Sequence, residues 1–201
     1  MFNLIRRDAI LQKRQLLVFI PFIIFFIVMN LDSVYIFLVA SIFIPFNAYA
    51  YDEKAETNIL LNSLPYTRKE IIASRYIGAI VYMLASILLT SAALFLFNKP
   101  FTLTDIVVGS GFFLLFAAFT FPLFYMLKPG YITTVVIISF LVLSAIGPRI
   151  VTFLGEHLTS ITGFIINLSL PTLYTGATIF ILVVYLASWG VATVIYQRKV
   201  F

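Results

Sequence analysis

Six blocks without a charged residue divide this chain, and they constrain its fold more than any other feature. Each block is 17 to 24 residues long. The blocks are 15–31, 34–51, 76–97, 106–127, 131–148 and 173–196. A helix of about 20 apolar residues, in a range of about 17 to 25, crosses the hydrocarbon of a bilayer. Because only 10% of the chain is charged, against about a quarter in a soluble domain, the sequence excludes a water-soluble globule.

The blocks predict an all-α membrane protein with six transmembrane helices in one domain, 1–201. The third helix is expected to begin at 68, before its charge-free block, because Thr67 and Glu70 have the spacing of a helix cap. The expected spans are about 15–31, 34–51, 68–97, 106–127, 131–148 and 173–196.

The basic residues predict the orientation of these spans. An even number of spans leaves both termini on one side of the membrane. With the termini in the cytoplasm, 11 of the 13 Lys and Arg residues lie inside, and only Lys99 and Arg149 lie outside. This is the bias that the positive-inside rule describes. We therefore expect a multi-pass plasma-membrane protein with cytoplasmic termini, and its net charge of +5 requires no nucleic-acid partner.

Residues 2–14 predict an amphipathic helix on the membrane surface. On a helical wheel their basic residues fall within an arc of about 120°, opposite an apolar half. A basic amphipathic helix of this kind lies in the headgroup plane. The alternative is an ordinary positive flank that only sets topology. The basic residues are Arg6, Arg7, Lys13 and Arg14.

The segment 52–64 predicts a short cytoplasmic helix between spans two and three. It starts with charged residues, and acids are favourable at the N-terminus of a helix. Apolar residues follow, and Pro65 then ends the helix. The charged residues are Asp52, Glu53, Lys54 and Glu56, and the apolar ones include Leu60, Leu61 and Leu64.

Thr67 and Glu70 have the spacing of a capping box, so the next helix should begin near Arg68. A helix from there to 97 is about 45 Å long, which exceeds the thickness of the hydrocarbon. We therefore expect its first two turns to project into the cytoplasm as a stalk that carries Arg68, Lys69 and Arg75. The alternative for the whole segment 52–75 is a solvated charged loop.

The external connections differ in length. Thr104 and Asp105 are expected to cap span four. The segment 149–172 is far longer than a turn requires, and predicts one or two short re-entrant helices in the outer leaflet. Glu156 and His157 lie in this segment, where we expect wetted interfacial residues.

The residues needed for catalysis are missing. No Gly-x-x-x-x-Gly-Lys-Ser/Thr loop for nucleotide phosphates occurs. With no Cys and a single His, the chain cannot build a thiolate or multi-histidine metal site. Ser110 lies between two glycines but lacks the glycine two places before it that a protease motif needs. We expect no enzyme, and neither cofactor nor metal in this chain.

The six blocks also lack Asp, Glu, Lys, Arg and His. Carriers coupled to protons or sodium usually need such groups inside the membrane. Energy for uphill transport must then enter from outside the membrane, and the segment 52–75 is the expected entry.

Two local stretches are similar to a motif of small bacterial permease subunits of ABC-2 type exporters. They are YDEK at 51–54 and NSLPYTRKEIIASRY at 62–76. The order of an N-terminal interfacial helix, six spans, an internal loop after span two and a long segment after span five resembles the same family. The resemblance implies an elbow helix at 2–14 and a coupling helix near 52–64 that docks on a separate ATPase. Polar contacts would come from Asp52, Glu53, Lys54 and Glu56, and buried ones from Leu60, Leu61 and Leu64.

The resemblance further implies that ATP and Mg²⁺ bind to the partner ATPase rather than to this chain. A second permease subunit would pair with this one, as a homodimer or a heterodimer. The uncharged, Phe-rich interior favours hydrophobic or amphipathic cargo, and permeases of this kind resemble those that export amphipathic peptides. Lipids and hydrophobic drugs are the other cargo classes.

Two alternatives remain open at this level. One is an ABC-type resistance, sensing or uptake scaffold that uses the same docked ATPase. The other is a passive channel or interaction protein without an ATPase partner. Charge reversal at Glu53 and Glu56 separates a coupling loop from a passive one.

Overall fold

The structure, a computed structural model, describes residues 10, 13–54, 66–126, 131–157, 163 and 167–198. In this part of the chain it contains six α-helices and no strand. They are α1 (Lys13–Val28), α2 (Ser33–Lys54), α3 (Arg68–Leu96), α4 (Leu103–Met126), α5 (Ile132–His157) and α6 (Leu170–Arg198). The prediction of an all-helical fold is confirmed.

Three of these helices are long and apolar enough to cross a membrane by length and composition. They are α3 with 29 residues, α4 with 24 and α6 with 29. The apolar parts of the other three are shorter, at Leu17–Val28, Ser33–Asn47 and Thr134–Gly147. The chain is therefore a multi-pass helical membrane protein, and a crossing by each of α1, α2 and α5 stays a prediction.

The starts of α3 and α4 are fixed by reciprocal caps. The Glu70 carboxylate accepts a hydrogen bond from the Thr67 backbone N–H at 2.8 Å, and the Thr67 hydroxyl accepts one from the Glu70 N–H at 3.2 Å. This confirms the predicted capping box. At α4 the same exchange joins Thr102 and Asp105, so the prediction that Thr104 caps this helix is wrong by two residues.

The two tight turns lie together at one end of the bundle, which we call the upper end. Asn30 and Asn98, just after α1 and α3, both have positive φ, at 57° and 52°. This left-handed conformation is typical of a residue that terminates a helix. The Lys99 ammonium donates to the Leu31 carbonyl, and this bond links the two turns. The opposite end, where α3 begins and α6 ends, is the lower end.

α5 is longer than the sequence suggested. It continues through Gly147 and Pro148 to His157, so the prediction of separate short helices beginning at Arg149 is wrong for 149–157. A proline interrupts the ladder of a helix but does not always end it inside a membrane protein. Residues 158–162 and 164–166 of the predicted re-entrant segment lie outside the described residues, and α6 begins at Leu170.

α2, α3, α4 and α6 form the centre of the bundle. α2 packs against α3 and α4, and α6 packs against α4 and α3. α1 packs mainly on α2, whereas α5 makes few contacts, with α4 and α2. Between Phe140 and Ile146 every side chain of α5 is exposed, and Phe140 still makes an edge-to-face contact with Phe116 of α4.

α2 and α4 approach most closely at Gly109. A Cβ atom at this position would lie 2.9 Å from the Phe37 Cβ and 3.0 Å from the Val34 carbonyl oxygen. Both neighbours belong to or adjoin the backbone of α2, so neither can swing away. The absence of a side chain at Gly109 therefore sets the distance between these two helices.

Replacing Gly109 by Ala should destabilise the bundle, by about 1–3 kcal/mol, because overpacking forces the backbones apart. The measurement is the thermal unfolding midpoint of the purified chain in detergent. Gly176→Ala is the matched control, since nothing lies within 4 Å of the added Cβ there. Equal midpoints for the two variants would contradict the close approach.

Candidate functional site

The predicted docking segment lies at the lower end, and most of it falls outside the described residues. Asp52, Glu53 and Lys54 form the last turn of α2. The prediction that a new helix starts at Asp52 is therefore wrong, because α2 continues without a break from Pro45. Glu56, Leu60, Leu61 and Leu64 are outside the described residues, so the coupling helix itself stays a prediction.

Most of the predicted interfacial helix at 2–14 also falls outside the described residues. Arg6 and Arg7 lie outside the described residues. Lys13 and Arg14 form the first turn of α1, so this part of 2–14 continues directly into the first apolar helix.

The first turns of α3 are flanked by other helices rather than free. Arg75 was predicted on a projecting stalk, but only 8% of its surface is exposed. The side chains from Ile71 to Tyr76 are all buried. The prediction of a free stalk is therefore wrong for Arg75, because α2 and α6 pack against α3. Lys69 is exposed, as expected.

Arg68 joins the start of α3 to the end of α6. Its guanidinium donates to the Gln197 carbonyl at 2.8 Å and lies 3.5 Å from the Tyr196 carbonyl. Both carbonyls belong to the last described turn of α6. The positive charge also lies at the negative end of the helix dipole. The helix that follows the predicted docking segment is thereby bonded to α6.

Higher in the bundle, hydrogen bonds between side chains and backbone connect α3, α4 and α6. The Ser188 hydroxyl donates to the Ala118 carbonyl at 2.6 Å. The Ser188 oxygen lies 2.8 Å from the Tyr76 hydroxyl, which must donate because the one Ser188 proton is already used. The Tyr185 hydroxyl donates to the Tyr76 carbonyl at 2.9 Å. We call the bonds from Tyr76 through Ser188 to Ala118 the relay.

Aromatic rings enclose this relay. The Tyr76 ring stacks on Trp189 with centroids 5.8 Å apart, and meets Phe121 and Tyr185 edge to face, each at 5.1 Å. Tyr76 is fully buried. Ring contacts of this geometry add to the stabilisation from burial alone. The lower half of the α3, α4 and α6 interface is thus closely packed.

A groove lies between the upper parts of α4 and α6. It is lined by Leu103, Thr104, Val107, Tyr174, Thr175, Thr178 and Ile179. Its walls are mostly apolar. The hydroxyls of Thr175 and Thr178 bond to carbonyls of their own helix. An apolar groove with satisfied hydroxyls suits a hydrophobic or amphipathic molecule rather than an ion.

The titratable residues near the end of α5 do not form a site. Glu156 and His157 are exposed, as predicted for wetted residues. The His157 ring stacks on Phe153 at 4.2 Å, which is a contact within one helix. Among the described residues no group of three acidic, His or Cys side chains could hold a metal ion.

Sequence reasoning missed the relay. Ser188 is one of many Ser and Thr residues in the apolar blocks, and its position alone does not single it out. The available signal is a face of α6 on which Tyr185, Ser188, Ala192 and Tyr196 recur every three or four residues. These four are the buried residues of α6.

Removal of the Arg68 charge should loosen the last turn of α6. Arg68→Gln is expected to speed hydrogen exchange of the backbone amides near Tyr196 about fivefold, which corresponds to about 1 kcal/mol of lost hydrogen bonding. The control is Lys69→Gln, on the adjacent exposed position. If both variants exchange at the wild-type rate, Arg68 does not hold this helix end.

The architecture agrees with what comparison with known proteins finds. No curated protein and no solved structure matches the chain. A family described as ABC-2 family transporter protein matches residues 3–197, which is nearly the whole chain. The chain, with its apolar helices and its closely packed α3, α4 and α6, belongs to the ABC-2 transporter family and is a membrane component of an ABC transporter.

Proposed function

We propose that the chain is the permease subunit of an ATP-driven exporter that docks a separate ATPase through residues 52–64. The family match over 3–197 carries this proposal, since ABC-2 membrane proteins are typically the non-catalytic part of an ABC transporter. The charge-free blocks support it, because they offer no group for coupling to protons or sodium. ATP and Mg²⁺ then act in the partner subunit.

The position of the docking segment supports energy entry at the lower end. The segment lies between α2 and α3, and α3 is capped at Thr67 immediately after it. Arg68 bonds α3 to the end of α6. A displacement of the docked segment would therefore act on two helices of the central bundle at once.

The apolar surfaces support the proposed class of cargo and the proposed pairing with a second permease subunit. The groove between α4 and α6 has mostly apolar walls and suits hydrophobic or amphipathic cargo, peptides among them. The side chains of α5 between Phe140 and Ile146 are exposed, and so are those of α6 between Tyr174 and Phe180. These faces are available to lipid and to a second permease subunit. Export is the direction that we propose.

The proposed orientation places the lower end in the cytoplasm of a cell with this chain in its plasma membrane. Because the chain has no Cys, single cysteines can be introduced at the exposed positions Lys69 and Glu156. In intact cells a membrane-impermeant maleimide should label Glu156→Cys and leave Lys69→Cys unlabelled until the cells are permeabilised. The reverse pattern would invert the topology.

Docking is tested by purifying the tagged chain from its native cells in mild detergent. A soluble nucleotide-binding subunit should co-purify in about equal amount, identified by mass spectrometry, and the eluate should hydrolyse ATP. Replacing 53–64 by a Gly/Ser linker should abolish both. Reversing the charge at Glu53 and Glu56 to Lys should weaken the complex about tenfold, because like charges at an interface repel.

The matched control is Glu156→Lys, an acid-to-Lys change at the other end of the bundle. It should leave the co-purified subunit and the ATP hydrolysis unchanged. If the chain is recovered alone and inactive although its oligomers are intact, the docking proposal is wrong. A passive channel or interaction protein then becomes the better function, whereas a docked ATPase without export would indicate a sensing, resistance or uptake scaffold.

A further inference from the structure

Pro122 removes one backbone hydrogen bond from the C-terminal part of α4. The proline lies inside this helix. Proline has no N–H, so the carbonyl four residues earlier, that of Ala118, loses its partner within the helix. In the hydrocarbon of a bilayer no water replaces this partner, and an unsatisfied carbonyl is costly. α4 therefore needs a donor from another helix at this level.

The structure supplies that donor from α6. The Ser188 hydroxyl donates to the Ala118 carbonyl at 2.6 Å, and Ser188 is 8% exposed. The Tyr76 hydroxyl of α3 in turn donates to the Ser188 oxygen at 2.8 Å, which fixes the direction of the serine proton. The carbonyl freed by Pro122 is thus satisfied across an interface of three helices.

Ser188 also has a second possible acceptor. A serine inside a helix can rotate and donate to the carbonyl four residues earlier in its own helix, here that of Val184. The hydroxyl then leaves the Ala118 carbonyl without a donor. Release of the Ala118 carbonyl therefore does not leave the Ser188 hydroxyl without an acceptor.

The relay lies below the groove, about three turns of α4 farther down. The buried residues of α6 begin at Tyr185 and continue downward, whereas the side chains from Tyr174 to Phe180 are exposed. Between the relay and the groove the helices are close, since a Cβ at Gly111 would lie 3.2 Å from the Ile181 Cδ1. To extend downward, the groove must open this contact, and the relay is the next bond that holds α4 to α6 below it.

We propose that Ser188 is a latch that satisfies the Ala118 carbonyl freed by Pro122, that Tyr76 positions it, and that its release extends the groove between α4 and α6 toward the middle of the bundle. In transport this release would link α3, which follows the docking segment, to the cargo path. That role rests on the proposed function. The latch itself is a property of the isolated chain.

A double-mutant cycle on the purified full chain tests the latch without any ATPase. Ser188→Ala should lower the thermal unfolding midpoint by about 3–8 °C, because it leaves a buried carbonyl unsatisfied. In the Pro122→Ala background the residue at 122 regains an N–H for Ala118, so the same change should cost less than half as much. The cycle subtracts any effect of Pro122→Ala on packing.

Equal losses in the two backgrounds would overturn the latch. Thr193→Val is the matched control, since the Thr193 hydroxyl donates to the Trp189 carbonyl of its own helix, and its effect should be the same in both backgrounds. If Ser188→Ala does not fold, Tyr76→Phe in the two backgrounds gives the same comparison, with a smaller loss that Pro122→Ala again reduces.

Groove width provides a second readout that a merely structural serine would not change. Cysteines introduced at Val107 and Thr178, on opposite walls of the groove, carry spin labels in a chain that has no other Cys. Ser188→Ala should shift their distance distribution to longer values, and Pro122→Ala should restore it. An unchanged distribution would overturn the link between latch and groove, whereas failure to recover an ATPase would affect only the proposed function.

Discussion

Lipid hydrocarbon offers no partner for a backbone N–H or carbonyl, and this constraint governs the whole structure. Within each helix the backbone hydrogen bonds satisfy these groups, so the groups that still need a partner lie at helix ends and at prolines. Thr67 and Glu70 satisfy the start of α3, and Arg68 satisfies carbonyls at the end of α6. Lys99 donates a hydrogen bond to the Leu31 carbonyl in the turn after α1. These bonds lie at the ends of the bundle, whereas inside it the Ala118 carbonyl freed by Pro122 depends on Ser188 of another helix.

The bundle is asymmetric along its axis as a result. In its lower half, bonded helix ends and the rings around Tyr76 fix α3, α4 and α6 together. In its upper half an apolar cluster that includes Ile27, Phe37 and Leu94 joins α1, α2 and α3, and a groove lies between α4 and α6. The bonded helix ends thus lie beside the proposed docking segment, and the groove lies away from it.

Local signals predicted much of this fold. The charge-free blocks gave the helices, and the Thr67–Glu70 spacing gave the start of α3, because both depend only on neighbours in sequence. Arg75 was misplaced because its burial depends on how other helices pack against α3. The rule that Gly147–Pro148 ends a helix derives from proteins in water and failed for α5. The relay combines three helices, and the order in which helices pack cannot be obtained from the charge pattern of one chain.

The single tryptophan of the chain has a consequence of its own. Trp189 follows Ser188 directly and stacks on the Tyr76 ring, with their planes 10° apart. Indole emission shifts in colour with the polarity of its surroundings, and no second indole contributes to the signal. The purified chain, reconstituted in lipid vesicles, therefore contains a natural optical reporter at the junction of α3 and α6, and it can be followed there without any chemical label.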